Sequence, residues 1–136
     1  MVPESFVYHA GLRCEATHGP SGTHLITDAP TDNHGKGESF SPTDLVVTAL
    51  STCMITTMAI AVEPEGIQLD GTKVSAEKHM STDPPRRIAK IVAVIDFAKG
   101  IPAESRSRLE HIAHTCPVMR SINPEIKVDL TFKYPN

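Results

Sequence analysis

The run SPTDLVVTALSTCMITTMAIAVE, residues 41–63, decides how the rest of the chain is read. Ser41 is a favourable N-cap, Pro42 suits the first helical position, and Asp44 stands three residues after Ser41 as in a capping box. Gly66, after Pro64, supplies a stop. Between them lies a helix with almost no charge on it and a thiol, Cys53, in its middle. The apolar run from Leu45 to Val62 is long enough for a membrane span, yet Thr48, Ser51, Thr52, Thr56 and Thr57 interrupt it. Asp44 and Glu63 bracket it without basic flanks. The expectation is a helix buried on nearly all sides, in a protein with no membrane contact.

Outward from that helix the chain reads as strands on both sides. Residues 4–17, ESFVYHAGLRCEAT, alternate as two strands about a turn near Gly11. HGPSG (18–22) is a tight turn, THLITDAP (23–30) a third strand, and TDNHGKGES (31–39) a polar loop. After the helix, IQLDGTKVSAEKHM (67–80) reads as a strand broken at Asp70-Gly71 and then a longer one. IAKIVAVIDFAKG (88–100) alternates clearly, with both faces apolar, and belongs at the centre of a sheet. PAESRSRLEHIAHT (102–115) is a second helix with Leu109, Ile112 and Ala113 as its stripe. Cys116-Pro117 breaks it, VMRSIN adds a further helical turn, and EIKVDLTFKY (125–134) closes as a strand with Ile126, Val128, Leu130 and Phe132 inward. The class is α+β, one domain over residues 1–136, in antiparallel sheets packed around the long helix. A domain of 136 residues has difficulty covering such a helix alone, so a second subunit is expected to cover it.

The composition, 40% hydrophobic and 21% charged, is that of a globular protein. A net charge of −3 with scattered lysines and arginines gives no footprint for nucleic acid. The start, MVPESFVYHAG, lacks a basic region followed by an apolar stretch, and three cysteines, Cys14, Cys53 and Cys116, do not form a disulfide scaffold. A reducing compartment is expected.

In such a compartment a cysteine is either a small buried side chain or a reactive group. Cys116 precedes Pro117 and is the N-cap of a short helix, a position that favours a thiolate. Cys53 lies mid-helix and needs another stabiliser, such as an arginine. His111, His114 and Cys116 are close in sequence, but no CxxC, HExxH or recurrent acidic ligand set accompanies them. No metal and no cofactor is expected. GxSxG and phosphate-loop patterns are absent from the sequence.

A helix opened by SPTDL and carrying ALSTC, followed about sixty residues later by HTCPV at a helix junction, resembles the OsmC/Ohr family. GLRCEA in the first hairpin and the closing KVDLTFKY resemble it too. The resemblance implies a cytoplasmic, intertwined homodimer with its sites at the interface. It implies a thiol-dependent peroxidase acting on organic hydroperoxides or hydrogen peroxide, with Cys53 as the attacking thiol and Cys116 as the resolving one. A dithiol, for example a lipoylated protein, would be the reductant. In the family an arginine and a glutamate hold the helix thiolate; Arg13 matches the arginine. The glutamate falls at Thr43, and Asp44 is the acid beside it, with Glu38 as another partner for Arg13. The SPTDL start is closer to the broad OsmC-like branch. The alternative reading is a dimeric, stress-associated small-ligand-binding protein whose cysteines are structural. Cys14, next to Arg13 on a strand, is expected to face away from whatever Arg13 faces.

Overall fold

Ser41 and Asp44 open the first helix with reciprocal hydrogen bonds. The Ser41 N–H donates to Asp44 Oδ2 at 2.8 Å, and the Asp44 N–H donates to Ser41 Oγ at 3.1 Å. In the computed structural model, which describes residues 1–135, this capping box starts α1, Pro42–Val62. A short 3-10 turn, Glu63–Glu65, follows. Gly66 then adopts φ +83°, a left-handed conformation open to glycine, and donates to Glu63 O at 2.9 Å.

The chain divides into two compact units, Met1–Val46 and Val47–Asn136. The first holds β1 (Glu4–His9), β2 (Arg13–His18) and β3 (His24–Asp28) in one antiparallel meander of order β1-β2-β3. Its register pairs Tyr8 with Cys14, Arg13 with Asp28 and Thr17 with His24. The Ala29 N–H donates to Leu12 O, and the Asp28 N–H to Phe40 O, so the loop after β3 folds back along the sheet. Gly35 passes so close to Ala29 that a Cβ there would fall 1.7 Å from its carbonyl oxygen. Phe6, Val7 and Tyr8 on β1 are exposed.

The second unit holds β4 (Lys73–Met80), β5 (Ile88–Asp96), α2 (Ala103–His114), α3 (Pro117–Ser121) and β6 (Lys127–Lys133). The sheet order is β4-β5-β6, so β5 is central as its two apolar faces predict. Ile91, Ala93, Ile95 and Phe97, alternate residues of one face, are buried with Leu50, Met54, Met58 and Val62 of α1 and Leu109 and Ala113 of α2. Phe97 stacks on Tyr134 at 5.0 Å between ring centroids. Arg106 lies over the same tyrosine, and the Tyr134 hydroxyl donates to Glu110 Oε1 at 2.8 Å. Burial and that carboxylate together hold the phenol protonated well above its ordinary range.

The α+β class and the element order are as the sequence predicts, with three differences of detail. First, β5 and β6 run parallel, not antiparallel, because α2 and α3 together carry the chain back to the starting end of the sheet. Second, residues 67–70 form no strand; the regular pairing begins at Lys73. Third, α1 is not buried on nearly all sides within the chain. By length and composition it could cross a bilayer, but its buried residues, Val47, Leu50, Met54, Met58 and Val62, form one row at helical spacing. Ile60 is 71% exposed, and Ala49, Thr52 and Thr56 are exposed with it. One sheet covers one stripe of a helix, and the small and threonine side chains fall on the remainder.

Candidate active site

Cys53 and Cys116 meet in the second unit. α1 delivers Cys53 one residue before buried Met54, so its side chain is half-buried at the edge of the core. α2 ends at His114, and Cys116 (φ −60°, ψ 156°) is the N-cap of α3, with Pro117 at the first helical position as expected. The two thiols are free and within hydrogen-bonding reach of one another.

Their environments push them apart. Burial alone disfavours the Cys53 thiolate, but the Val118 N–H, the Thr57 hydroxyl and the Cys116 thiol all donate to it and lower its pKa below the ordinary thiol value. Thr57 Oγ1 stands 3.8 Å from Cys53 Sγ, one helical turn on. Cys116 is 0% exposed, and burial is the largest cause of its raised pKa, with the hydrogen bond to Cys53 and the Cys53 charge adding to it. The N–H groups of Met119 and Val118 oppose this and lose. The capping argument, which favours Cys116 as the thiolate, is therefore overturned by burial: a cap position helps an anion only where desolvation does not cost more. Of the two, Cys53 is the thiol whose surroundings favour the ionised form.

Arg13 and Asp44 belong to the first unit. The Arg13 guanidinium donates to Glu38 Oε2 at 2.8 Å and to both oxygens of Asp28, at 3.2 and 3.4 Å. Asp28 is 1% exposed and also accepts the Glu38 N–H at 2.9 Å. The guanidinium, with that N–H, holds the Asp28 carboxyl below the usual carboxylate range. Glu38 is thus a partner of Arg13, as considered from the sequence. Asp28 is the one sequence reasoning missed, although the β2–β3 register places it directly across from Arg13. The Asp44 carboxylate serves the capping box, and the Thr43 hydroxyl lies 3.2 Å from Ser41 Oγ.

Cys14 faces away from these carboxylates, as strand alternation predicts. With Phe6, Ala16, Leu25, Thr27 and Leu45 it lines an apolar concavity of about 590 Å³. On the N-terminal sheet, Glu15 lies between His24 (2.8 Å) and His9 (3.4 Å). Among the described residues no three His, Cys, Asp or Glu side chains converge as a metal cluster; His114 packs against the Phe132 ring at 6.2 Å.

The family model described as OsmC-like protein matches residues 35–131. Among solved structures, a candidate osmotic stress induced and detoxification response protein from Psychrobacter arcticus is 38% identical. That match covers 97% of this chain and 96% of the other, with a TM-score of 0.91. An organic hydroperoxide resistance protein OsmC from Legionella pneumophila has the same fold at 16% identity, covering 98% and 96% with a TM-score of 0.76. So does an organic hydroperoxide resistance protein from Elizabethkingia anophelis, at 17% identity, 99% and 96% coverage and a TM-score of 0.74. Comparison with curated proteins gives no match.

Proposed function

The chain belongs to the OsmC-like protein family, and from that premise we propose that it is a thiol-dependent peroxidase using Cys53 and Cys116. The observation that carries this reading is the asymmetry of the pair: Cys53 is favoured as thiolate and half-exposed, while Cys116 is buried and held as a thiol beside it. Organic hydroperoxide resistance proteins with the same fold support the substrate class.

The steps follow from ordinary sulfur chemistry. The Cys53 thiolate attacks the terminal oxygen of the hydroperoxide, the O–O bond breaks, and the alkoxide leaves and is protonated to the alcohol. Cys53 is then a sulfenic acid and carries no charge. The part of the Cys116 shift due to the Cys53 charge and hydrogen bond disappears at that moment, so Cys116 ionises more readily just when it is needed. Its sulfur attacks Cys53, hydroxide leaves with the Cys116 proton as water, and the disulfide forms. A dithiol, such as a lipoylated protein, restores both thiols by exchange.

The reading includes a cytoplasmic homodimer, in which a second copy covers the exposed side of α1. Arg13 is proposed as the cation serving the reaction, oriented by Asp28 and Glu38, and Asp44 as a residue that shapes the start of α1. A second reading, a small-ligand-binding protein, draws on the apolar concavity beside Cys14. Treatment with one equivalent of cumene hydroperoxide separates the two. The peroxidase loses two free thiols per subunit and gains a Cys53–Cys116 link by peptide mass spectrometry, with Cys14 still free. A binding protein keeps all three.

A further inference from the structure

The Thr57 hydroxyl reaches the side chain of the residue four before it, Cys53, at 3.8 Å between Oγ1 and Sγ. Residues four apart on a helix share a face, so the contact is built into α1 and needs no other element to form it. Thr52, on a neighbouring face, does what a mid-helix threonine commonly does and donates to the carbonyl of residue i−4, Thr48 O, at 2.8 Å. A β-branched side chain in a helix has few χ1 choices, so a hydroxyl aimed at sulfur stays aimed.

We propose that Thr57 is a positioning residue for the Cys53 sulfur, holding it by a hydroxyl hydrogen bond from its own helix. This rests on the reading of Cys53 as the attacking thiol. Among the described residues, the groups that hydrogen-bond the Cys53 sulfur are the Thr57 hydroxyl on α1, the Cys116 thiol at the α2–α3 junction and the Val118 N–H on α3. Of these, Cys116 is the titratable one and Val118 contributes backbone, so Thr57 is where a substitution can change the stabilisation of the thiolate without removing a sulfur. A hydrogen bond to the ionised form favours that form.

The test uses the full chain with Cys14→Ser and Cys116→Ser, so that Cys53 is the remaining thiol, and follows iodoacetamide alkylation from about pH 5 to 10. Thr57→Val keeps the branched shape and has helix propensity close to that of threonine. It is expected to move the midpoint upward and to slow alkylation near neutral pH by about three- to tenfold. Thr57→Ser restores the hydroxyl and returns the rate to within about twofold. If Thr57→Val does not fold, Thr57→Ala gives the same readout in a better helix former. An unchanged midpoint in the valine or alanine variant overturns the proposal. Peroxide consumption by the unsubstituted protein is measured separately. Its absence together with a shifted midpoint removes the peroxidase reading and leaves Thr57 in place; its presence with an unmoved midpoint does the reverse.

Discussion

Cys53 and Cys116 lie within hydrogen-bonding reach of one another, and that contact lowers the pKa of Cys53 and raises that of Cys116. The contact favours ionisation of the half-buried sulfur before the buried one. A group whose pKa is depressed gains its charged form as pH rises through that lowered value, and the attack rate levels off above it. Single-turnover reaction with cumene hydroperoxide should rise with pH to a midpoint below that of an ordinary thiol. Cys116→Ala removes the donor and should move the midpoint up, slowing reaction near neutral pH by about two- to tenfold. A midpoint at or above that of free cysteine would contradict the assignment of Cys53.

The order of attack gives a second expectation. With Cys53 as the proposed first nucleophile, Cys53→Ser should lower peroxide consumption by at least about a thousandfold. Cys116→Ser should still react once, and its Cys53 sulfenic acid, with no thiol beside it, should persist long enough to be trapped by dimedone. Intact-protein mass spectrometry reads both. A dimedone adduct on Cys116 in the Cys53→Ser protein, formed at the unsubstituted rate, would exchange the two roles.

These two expectations differ in how much of their basis is legible from sequence. Ser41 and Asp44 announce the start of α1 at the right spacing, and the structure contains both bonds of that box. The alternation of residues 88–97 is enough to make β5 central. The direction of β6 is not legible, because its strand pattern is identical in parallel and antiparallel pairing and the choice lies in where α2 and α3 lead the chain. Cys116 shows the same limit in electrostatic form. Its cap position is a local property visible in Cys-Pro, whereas its burial depends on α1 and β5 packing around it. Asp28 is recoverable only once the β2–β3 register is known. Thr57 is recoverable from spacing alone, four residues after a cysteine on a helix.

The Arg13–Asp28 pair should be visible in acid. The folded-state pKa of Asp28 is depressed, so the stability it contributes is present above the ordinary carboxylate value of about 3.9 and is lost as pH falls through the folded value. Asp70 and Asp129 are depressed too, by Lys99 and by Lys90 with Lys127, so the diagnostic is a difference between proteins. Thermal melts of the unsubstituted protein should fall in Tm below about pH 4, and those of Asp28→Asn should start lower and fall less. Parallel curves would mean that the buried carboxylate does not respond to its charge partner.

The capping box makes a prediction about what Asp44 does. Ser41→Ala removes the acceptor for the Asp44 N–H and should cost about 1 kcal/mol. Asp44→Ala removes the acceptor for the Ser41 N–H and should cost a similar amount, part of it from the favourable charge at the helix start. Because the two bonds are reciprocal, the double substitution should cost less than the sum, by about 0.5 kcal/mol or more. Denaturant melts give all three values. If Asp44 acts through the cap, the single-turnover peroxide rate of folded Asp44→Ala should stay within about threefold of the unsubstituted protein, whereas loss of a group that stabilises charge in the reaction costs about a hundredfold. A large loss of rate with little loss of stability would make Asp44 the acid that this chain lacks at Thr43.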